Sequence, residues 1–161
     1  MFLIAIASFR AAATELSFFA SYTNVDYVSA GVGGLRETGY GDISLTGVSG
    51  TIKKAYLYWH GHGKQGDYDA SITNALVFIN GNPAQGQVIG TSGPNGWNFP
   101  PYNFYFGQAF RADVTDLITG NGTYTVSDFD PLPFTIQGAS LIVIFDDGIT
   151  TNNRDITLYN G

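Results

Sequence analysis

Residues 52–59 read IKKAYLYW, and from Lys54 onward a long amphipathic side chain alternates with an apolar one. Successive side chains of an extended strand point to opposite faces, so this stretch would present one apolar face and one face of long amphipathic side chains. The apolar face holds Ala55, Leu57 and Trp59, and the other holds Lys54, Tyr56 and Tyr58. The alternation predicts a half-buried strand whose outer face carries aromatic rings.

Further runs of this kind lie on both sides of it, separated by turn residues. They are residues 25–32, 43–48, 75–79, 88–90, 104–114, 124–129, 139–145 and 156–159. Asn80-Gly81 predicts a two-residue hairpin turn, whereas residues 97–102 (WNFPPY) contain two prolines and predict an irregular loop. Many short strands at this spacing favour an antiparallel β-sandwich or barrel over a βαβ fold.

Residues 140–145 (SLIVIF) are apolar at consecutive positions, unlike the alternating runs. A strand of this kind needs cover on both of its faces. In a sandwich, one face packs on the opposite sheet. We therefore expect the other face to be screened by a loop or by a neighbouring subunit.

The composition suits a single all-β domain. The 161 residues include 21 Gly, 12 Phe and 10 Tyr, and only 12% are charged, which disfavours helices and fits one domain in length. The net charge of −6 with only seven basic residues argues against partners such as nucleic acid or an anionic membrane surface. The chain has no cysteine, so disulfides and thiolate metal sites are excluded.

Residues 1–20 form a separate apolar segment before the predicted sandwich domain at residues 21–161. Residues 2–9 (FLIAIASF) are too short to span a membrane as a helix, and the nearest basic residue follows them instead of preceding them as in a secretory signal. We therefore expect a structural segment, either a short helix over residues 9–19 or a strand donated to another subunit. A secretory signal is the alternative. The contacts of a donated strand would come from Phe2, Leu3, Ile4, Ile6 and Phe9. The chain stops at a turn signal directly after a strand, so we expect the domain to be truncated there.

Four segments together resemble a known class of domain. They are residues 53–59 (KKAYLYW), 75–83 (ALVFINGNP), 110–126 (FRADVTDLITGNGTYTV) and 138–147 (GASLIVIFDD). Their order is similar to that in jelly-roll β-sandwiches of the galactose-binding-like class, and the chain from residue 25 onward resembles an uncharacterised domain of large bacterial and archaeal surface proteins. The resemblance implies an antiparallel jelly-roll sandwich at a prokaryotic cell surface. Its motifs are strands and turns, so it implies no chemistry.

His60 and His62 are the first candidates for metal ligands. Side chains two apart on a strand point the same way, and Asp67 and Asp69 follow closely. A tetrahedral zinc site needs further ligands, and the chain has only these two histidines. A solvated Gly-rich loop over residues 60–69 is the more economical interpretation.

Asp146 and Asp147 are the candidates for a structural calcium site. Calcium takes six to eight oxygen ligands and tolerates irregular geometry, which carboxylates on loops can supply. The alternative is that both aspartates bond nearby backbone amides, as Asp commonly does in turns.

No set of residues in the sequence predicts catalysis. The chain lacks a cysteine nucleophile and a G-x-S-x-G motif, and neither histidine has a recognisable serine partner. We therefore expect a protein that is not an enzyme and has no catalytic residues.

The aromatic residues are the remaining candidates for contacts, above all Tyr56, Tyr58, Trp97 and Tyr102. Exposed Trp and Tyr rings stack on sugars and are also enriched in protein–protein interfaces. The sequence thus favours an extracellular structural module, a surface-protein or filament subunit that assembles with copies of itself through sheet edges and aromatic faces. The alternative is a carbohydrate-binding module or adhesin that contacts glycans through the same aromatic residues.

Overall fold

A computed structural model describes residues 15–63, 75–92, 97–99, 102–104, 106–129 and 135–161. Strands dominate these residues, together with one short helix, α1 (Leu35–Thr38), and a 3₁₀ helix at Thr115–Leu117. The strands are β1 (Ser17–Gly33), β2 (Gly41–Leu45), β3 (Thr51–Gly63), β4 (Leu76–Ile79), β5 (Asn82–Gln85), β6 (Gln87–Ser92), β7 (Trp97–Phe99), β8 (Tyr102–Phe104), β9 (Phe106–Asp113), β10 (Gly122–Ser127), β11 (Thr135–Asp146) and β12 (Arg154–Asn160).

Ten of the described strands form two antiparallel sheets that pack face to face. The main sheet has the order β12-β1-β11-β3-β9-β6, and the small sheet has the order β2-β10-β4-β5. Apolar side chains from both sheets fill the space between them, among them Leu57, Trp59, Phe110 and Leu141 from the main sheet and Ile43, Val77, Ile79 and Val126 from the small one. The predicted all-β antiparallel sandwich is confirmed.

The hairpin between β4 and β5 shows how local sequence sets the small sheet. Asn80 and Gly81 both adopt positive φ angles, 48° and 77°, and Ile79 pairs directly with Asn82. A two-residue turn with two positive φ angles matches the twist of the flanking strands, and Asn-Gly is the pair that adopts it most readily. This hairpin prediction is confirmed.

Strand β1 takes part in two separate pairings. Residues 26–33 pair with β11, whereas residues 17–25 pair with β12. Between the two parts the register shifts after Tyr22, and Asn24 has a φ of 54°. An irregularity of this kind bends a strand, so the first half of β1 and all of β12 leave the sheet as a two-stranded arm, which we call the terminal ribbon (residues 17–25 and 154–160).

The terminal ribbon lies across the outer face of the main sheet. Its side chains Phe19, Tyr22, Ile156 and Leu158 belong to one apolar cluster with Tyr56, Tyr58, Ile142 and Ile144 of the sheet. At the far end, a Cβ on Gly90 of β6 would lie 2.6 Å from the Gly161 carbonyl carbon, so the ribbon reaches from β11 to the opposite edge. The expectation that both faces of residues 140–145 are covered is correct, and the same chain supplies the cover.

Three local predictions are wrong. Residues 97–99 and 102–104 pair as β7 and β8 instead of forming an irregular loop, because the two prolines fall between the paired segments. The helix predicted over residues 9–19 is wrong at its C-terminal end, because residues 17–19 belong to β1, which begins at Ser17. The histidines lie on a strand and not on a loop, since β3 continues to Gly63 and pairs with both β9 and β11 there.

No helix within the described ranges is long and apolar enough to cross a membrane.

Candidate binding site

A cavity of about 410 Å³ opens where the terminal ribbon meets the edge of the main sheet. Its lining comes from four separate parts of the chain: the ribbon, β3, the β5–β6 turn and β9. The lining residues are Phe19, Tyr56, Gln85, Gln87, Arg111 and Asp113. This volume is in the range of cavities that hold small ligands.

Arg111 forms the inner wall of the cavity. Phe110 and Ala112 point into the core, so alternation along β9 directs Arg111 outward, directly across from Tyr58 of β3. The ribbon covers it there, and only 8% of its surface is exposed. Its guanidinium carbon lies 3.3 Å from the centre of the Phe19 ring, a cation–π contact.

The hydrogen bonds of Arg111 leave part of its guanidinium unused. Nη2 donates to Gln87 Oε1 at 3.3 Å, while Nη1 is buried and has no hydrogen-bond partner among the described residues. No carboxylate of the described part of the chain forms an ion pair with it. The contacts that Arg111 makes are therefore with neutral groups.

Asp113, two residues further along β9, is already bonded. Its Oδ2 accepts from Lys54 Nζ at 2.8 Å, and its Oδ1 accepts from the Thr115 hydroxyl and from the Thr115 N–H. Burial raises the pKa of Asp113, but the hydrogen bonds from Lys54 and Thr115 outweigh it and hold that pKa below its ordinary value. Asp113 therefore stays charged, and Lys54 balances its charge.

Tyr56 and Tyr58 lie beneath the ribbon instead of facing solvent. Tyr56 is only 4% exposed, its ring meets Phe19 edge-on at 5.3 Å, and its hydroxyl lies 2.6 Å from the Tyr22 hydroxyl. Burial, with the Tyr22 hydrogen bond, raises the pKa of Tyr56, and burial raises that of Tyr58. Ligand contact by these two residues stays a prediction, and for Tyr56 it is confined to the cavity wall.

The other predicted contact residues cannot be placed in the same way. The backbone of Trp97 and Tyr102 lies in the β7–β8 hairpin, where Phe99 pairs with Tyr102, but their side chains lie outside the described part of the structure. Phe2, Leu3, Ile4, Ile6 and Phe9 also lie outside the described residues.

The aspartates predicted to bind calcium lie at the end of β11, where Asp146 is its last residue and Asp147 begins the turn that follows. Asp146 accepts from the Gly148 N–H at 3.0 Å and pairs with Lys53 at 3.2 Å. Asp147 accepts from the Ile149 N–H and from the Asn152 side chain, both at 2.9 Å. Each of the four carboxylate oxygens thus already contacts a protein donor, which is the bonding expected of Asp in a turn. The calcium site stays a prediction.

His60 and His62 lie side by side on the outer face of β3, with ring centres 4.6 Å apart. Burial lowers the pKa of both, and the charge of His62 lowers that of His60 further. A Cβ on Gly107 would sit 2.8 Å from His60 Nε2 and 2.9 Å from Ser92 Oγ, so these groups share one neighbourhood. In the part of the chain that the structure describes, no three His, Asp or Glu side chains are grouped to hold a metal.

A second feature is the open edge of the terminal ribbon. Among the described strands, β12 has a neighbour on one side only, β1. Three exposed apolar side chains lie at the same end of the ribbon, Tyr159 on β12, Phe18 opposite it on β1 and Leu16 just before β1, at 57%, 64% and 75% exposure. The Phe18 and Tyr159 rings meet edge-on at 6.3 Å. We call these three side chains the ribbon patch.

Comparison of the chain with protein-family models, with curated proteins and with solved structures found no match.

Five of the residues that line the cavity are not predicted from the sequence, namely Phe19, Gln85, Gln87, Arg111 and Asp113. One signal is present: Arg111 stands between Phe110 and Ala112 in a predicted strand, so alternation places it on the face that points away from the core. The fold of the ribbon over that face has no comparable signal in the sequence.

Proposed function

We propose that this chain is a non-catalytic structural module of an extracellular or cell-surface protein, which assembles with copies of itself through the open edge of β12. The observation that carries the proposal is this unpaired edge with the ribbon patch beside it. A free strand edge presents a row of unpaired N–H and C=O groups, and an extended segment of another chain can pair with them.

The outer strands β5 and β6 offer poorer edges than β12. Strand β5 has four residues and contains Pro83, which lacks a donor. Strand β6 abuts Gly161 at Gly90. Strand β12 has seven residues, and after Asp155 it continues as ITLYN with no charge, whereas protected edges commonly carry charges that deter pairing.

The proposed occupant of this edge is the apolar segment at residues 2–9 of another copy. Its run of Phe, Leu and Ile is a hazard for aggregation in water, and the ribbon patch offers apolar contacts to such a segment. A contact of this type is head-to-tail and does not close on itself, so it generates filaments. The resemblance to galactose-binding-like jelly-roll domains of prokaryotic surface proteins supports the proposed location.

Sedimentation velocity on three variants tests the proposal. Deletion of residues 1–12 and the Tyr159→Lys substitution should each shift the full chain from large assemblies to monomers. Tyr40→Lys is the matched control, because Tyr40 is 60% exposed and lies away from the ribbon, and it should assemble like the unaltered chain. Assemblies that persist in both test variants would contradict the proposal.

The second candidate function is a carbohydrate-binding module or adhesin. The cavity beneath the ribbon favours it, because amide groups and aromatic rings line a space of ligand size. Calorimetric titration of the protein with simple sugars tests it, and the absence of any sugar binding would argue against it.

A further inference from the structure

Arg111 is a buried cation that no acid of the described chain neutralises. Arginine is rarely this deeply buried unless it is paired, since removing a charge from water is costly without a partner. The partners of Arg111 among the described residues are the Phe19 and Tyr56 rings and the Gln87 amide oxygen, and none of them carries a charge. Its Nη1 remains without a hydrogen bond to any described residue.

Among the described residues, the charges around the cavity sum to one positive charge. The nearest carboxylate on the same face of β9 is Asp113, and its ion pair with Lys54 at 2.8 Å cancels both of those charges. No carboxylate of the described residues therefore compensates Arg111, although the chain as a whole carries a net charge of −6. A single fixed cation suits a monovalent carboxylate better than a phosphate, whose charge at neutral pH is about −1.5 to −2.

We infer that the cavity binds a hexuronic acid, a sugar ring that bears a carboxylate, and that this carboxylate is the missing counter-ion of Arg111. The inference rests on the second candidate function and names its ligand class. A carboxylate accepts strong, charge-assisted hydrogen bonds from a guanidinium. The amides of Gln85 and Gln87 supply donors and acceptors for ring hydroxyls, and the Phe19 and Tyr56 rings supply apolar surface for the sugar face.

The route to the guanidinium passes Gln87. Nη1 lies out of reach of solvent, so an incoming carboxylate meets Nη2 first. Its contact to Gln87 is long, at 3.3 Å, and the Gln87 side chain is exposed. A carboxylate forms a stronger, charge-assisted bond, so it displaces the Gln87 amide oxygen from Nη2.

Calorimetric titration at low ionic strength with D-glucuronate, D-glucose and acetate tests the assignment. We expect D-glucuronate to bind about tenfold or more tightly than either comparison compound, since hydrogen bonds to a charged group and contacts to the ring both contribute. Equal binding of glucose would overturn the role of the carboxylate but leave glycan binding intact. Equal binding of acetate would overturn the assignment of a sugar, and no binding of D-glucuronate would overturn the inference.

Two variants locate the site. Arg111→Gln should lower the affinity for D-glucuronate about tenfold or more, whereas Arg154→Gln, with the same change in charge on the exposed end of β12, should leave it unchanged.

If Arg111→Gln fails to fold, Gln87→Glu provides a second test of where the ligand binds. It places a carboxylate within reach of Nη2, so it should raise the melting temperature and lower the affinity for D-glucuronate about tenfold. An unchanged affinity in Gln87→Glu would overturn the placement of the ligand at Arg111.

Discussion

Gly86, between β5 and β6, packs directly against the core residue Trp59 because it has no side chain. A Cβ at this position would lie 2.5 Å from two ring carbons of Trp59. Trp59 is itself fixed, because it is buried and its ring stacks on Phe110 at 5.4 Å. The ring therefore has little room to move, and the close approach requires glycine.

Gly86→Ala should destabilise the protein by about 2 kcal/mol, since overfilled cores typically lose 1–3 kcal/mol. Urea denaturation followed by tryptophan fluorescence measures this change. Gly33→Ala is the matched control, because a Cβ there meets no atom within 4 Å, and it should leave stability unchanged or slightly higher. Equal stability of the two variants would show that the Trp59 ring is not fixed.

Asp113 ties the 3₁₀ helix to the sheet through Lys54 and Thr115. Because the folded state holds the pKa of Asp113 below its ordinary 3.8, its ionised form stabilises the fold above that value. This stabilisation is lost as the pH falls from there through the lower folded-state pKa. Asp113→Asn should therefore lose less stability on acidification than the unaltered protein does. Denaturation midpoints at pH 6 and in the acid range measure this, with Glu37→Gln as a charge-matched control that should behave like the parent.

The elements differ in how far their sequences specify them. Strands such as β3 and β10 are predicted well because alternation and turn residues are local signals. The bend in β1 is not, because the sequence predicts a strand only from residue 25 onward, whereas β1 begins at Ser17 and bends near Asn24, which has a positive φ. The cavity depends on that bend, since it joins Phe19, Tyr56, the β5–β6 turn and Arg111, and no local pattern brings these together.

The two neighbouring phenylalanines at the start of β1 separate folding from assembly. Phe19 is half-buried against Tyr56 and Arg111, so Phe19→Ala should destabilise the fold by about 2 kcal/mol, less than a fully buried Phe. Phe18 belongs to the ribbon patch, so Phe18→Ala should change stability by less than about 0.5 kcal/mol while weakening assembly. Denaturation measures the stability of both variants, and sedimentation measures their assembly. A loss of stability in Phe18→Ala with a loss of assembly in Phe19→Ala would show that Phe18, and not Phe19, faces the sheet.

Most of the described part of the chain lies in three layers: the small sheet, the main sheet and the terminal ribbon. The inner face of the ribbon covers the aromatic side chains of β3, so these rings contribute to packing within the monomer. Its outer face and the β12 edge stay exposed. The ribbon is therefore the part of the described structure best suited to contact a second copy.

Disulfide trapping tests assembly through the N-terminal segment most directly, because the chain has no cysteine that could form a competing disulfide. One variant carries Ile4→Cys, and a second carries Cys at one exposed β12 position, Asp155, Thr157 or Tyr159 in turn. Mild oxidation of the mixed variants should yield mixed dimers for at least one β12 position. If no mixture yields mixed dimers, and single chains that carry both cysteines form an internal disulfide, assembly through the N-terminal segment is contradicted.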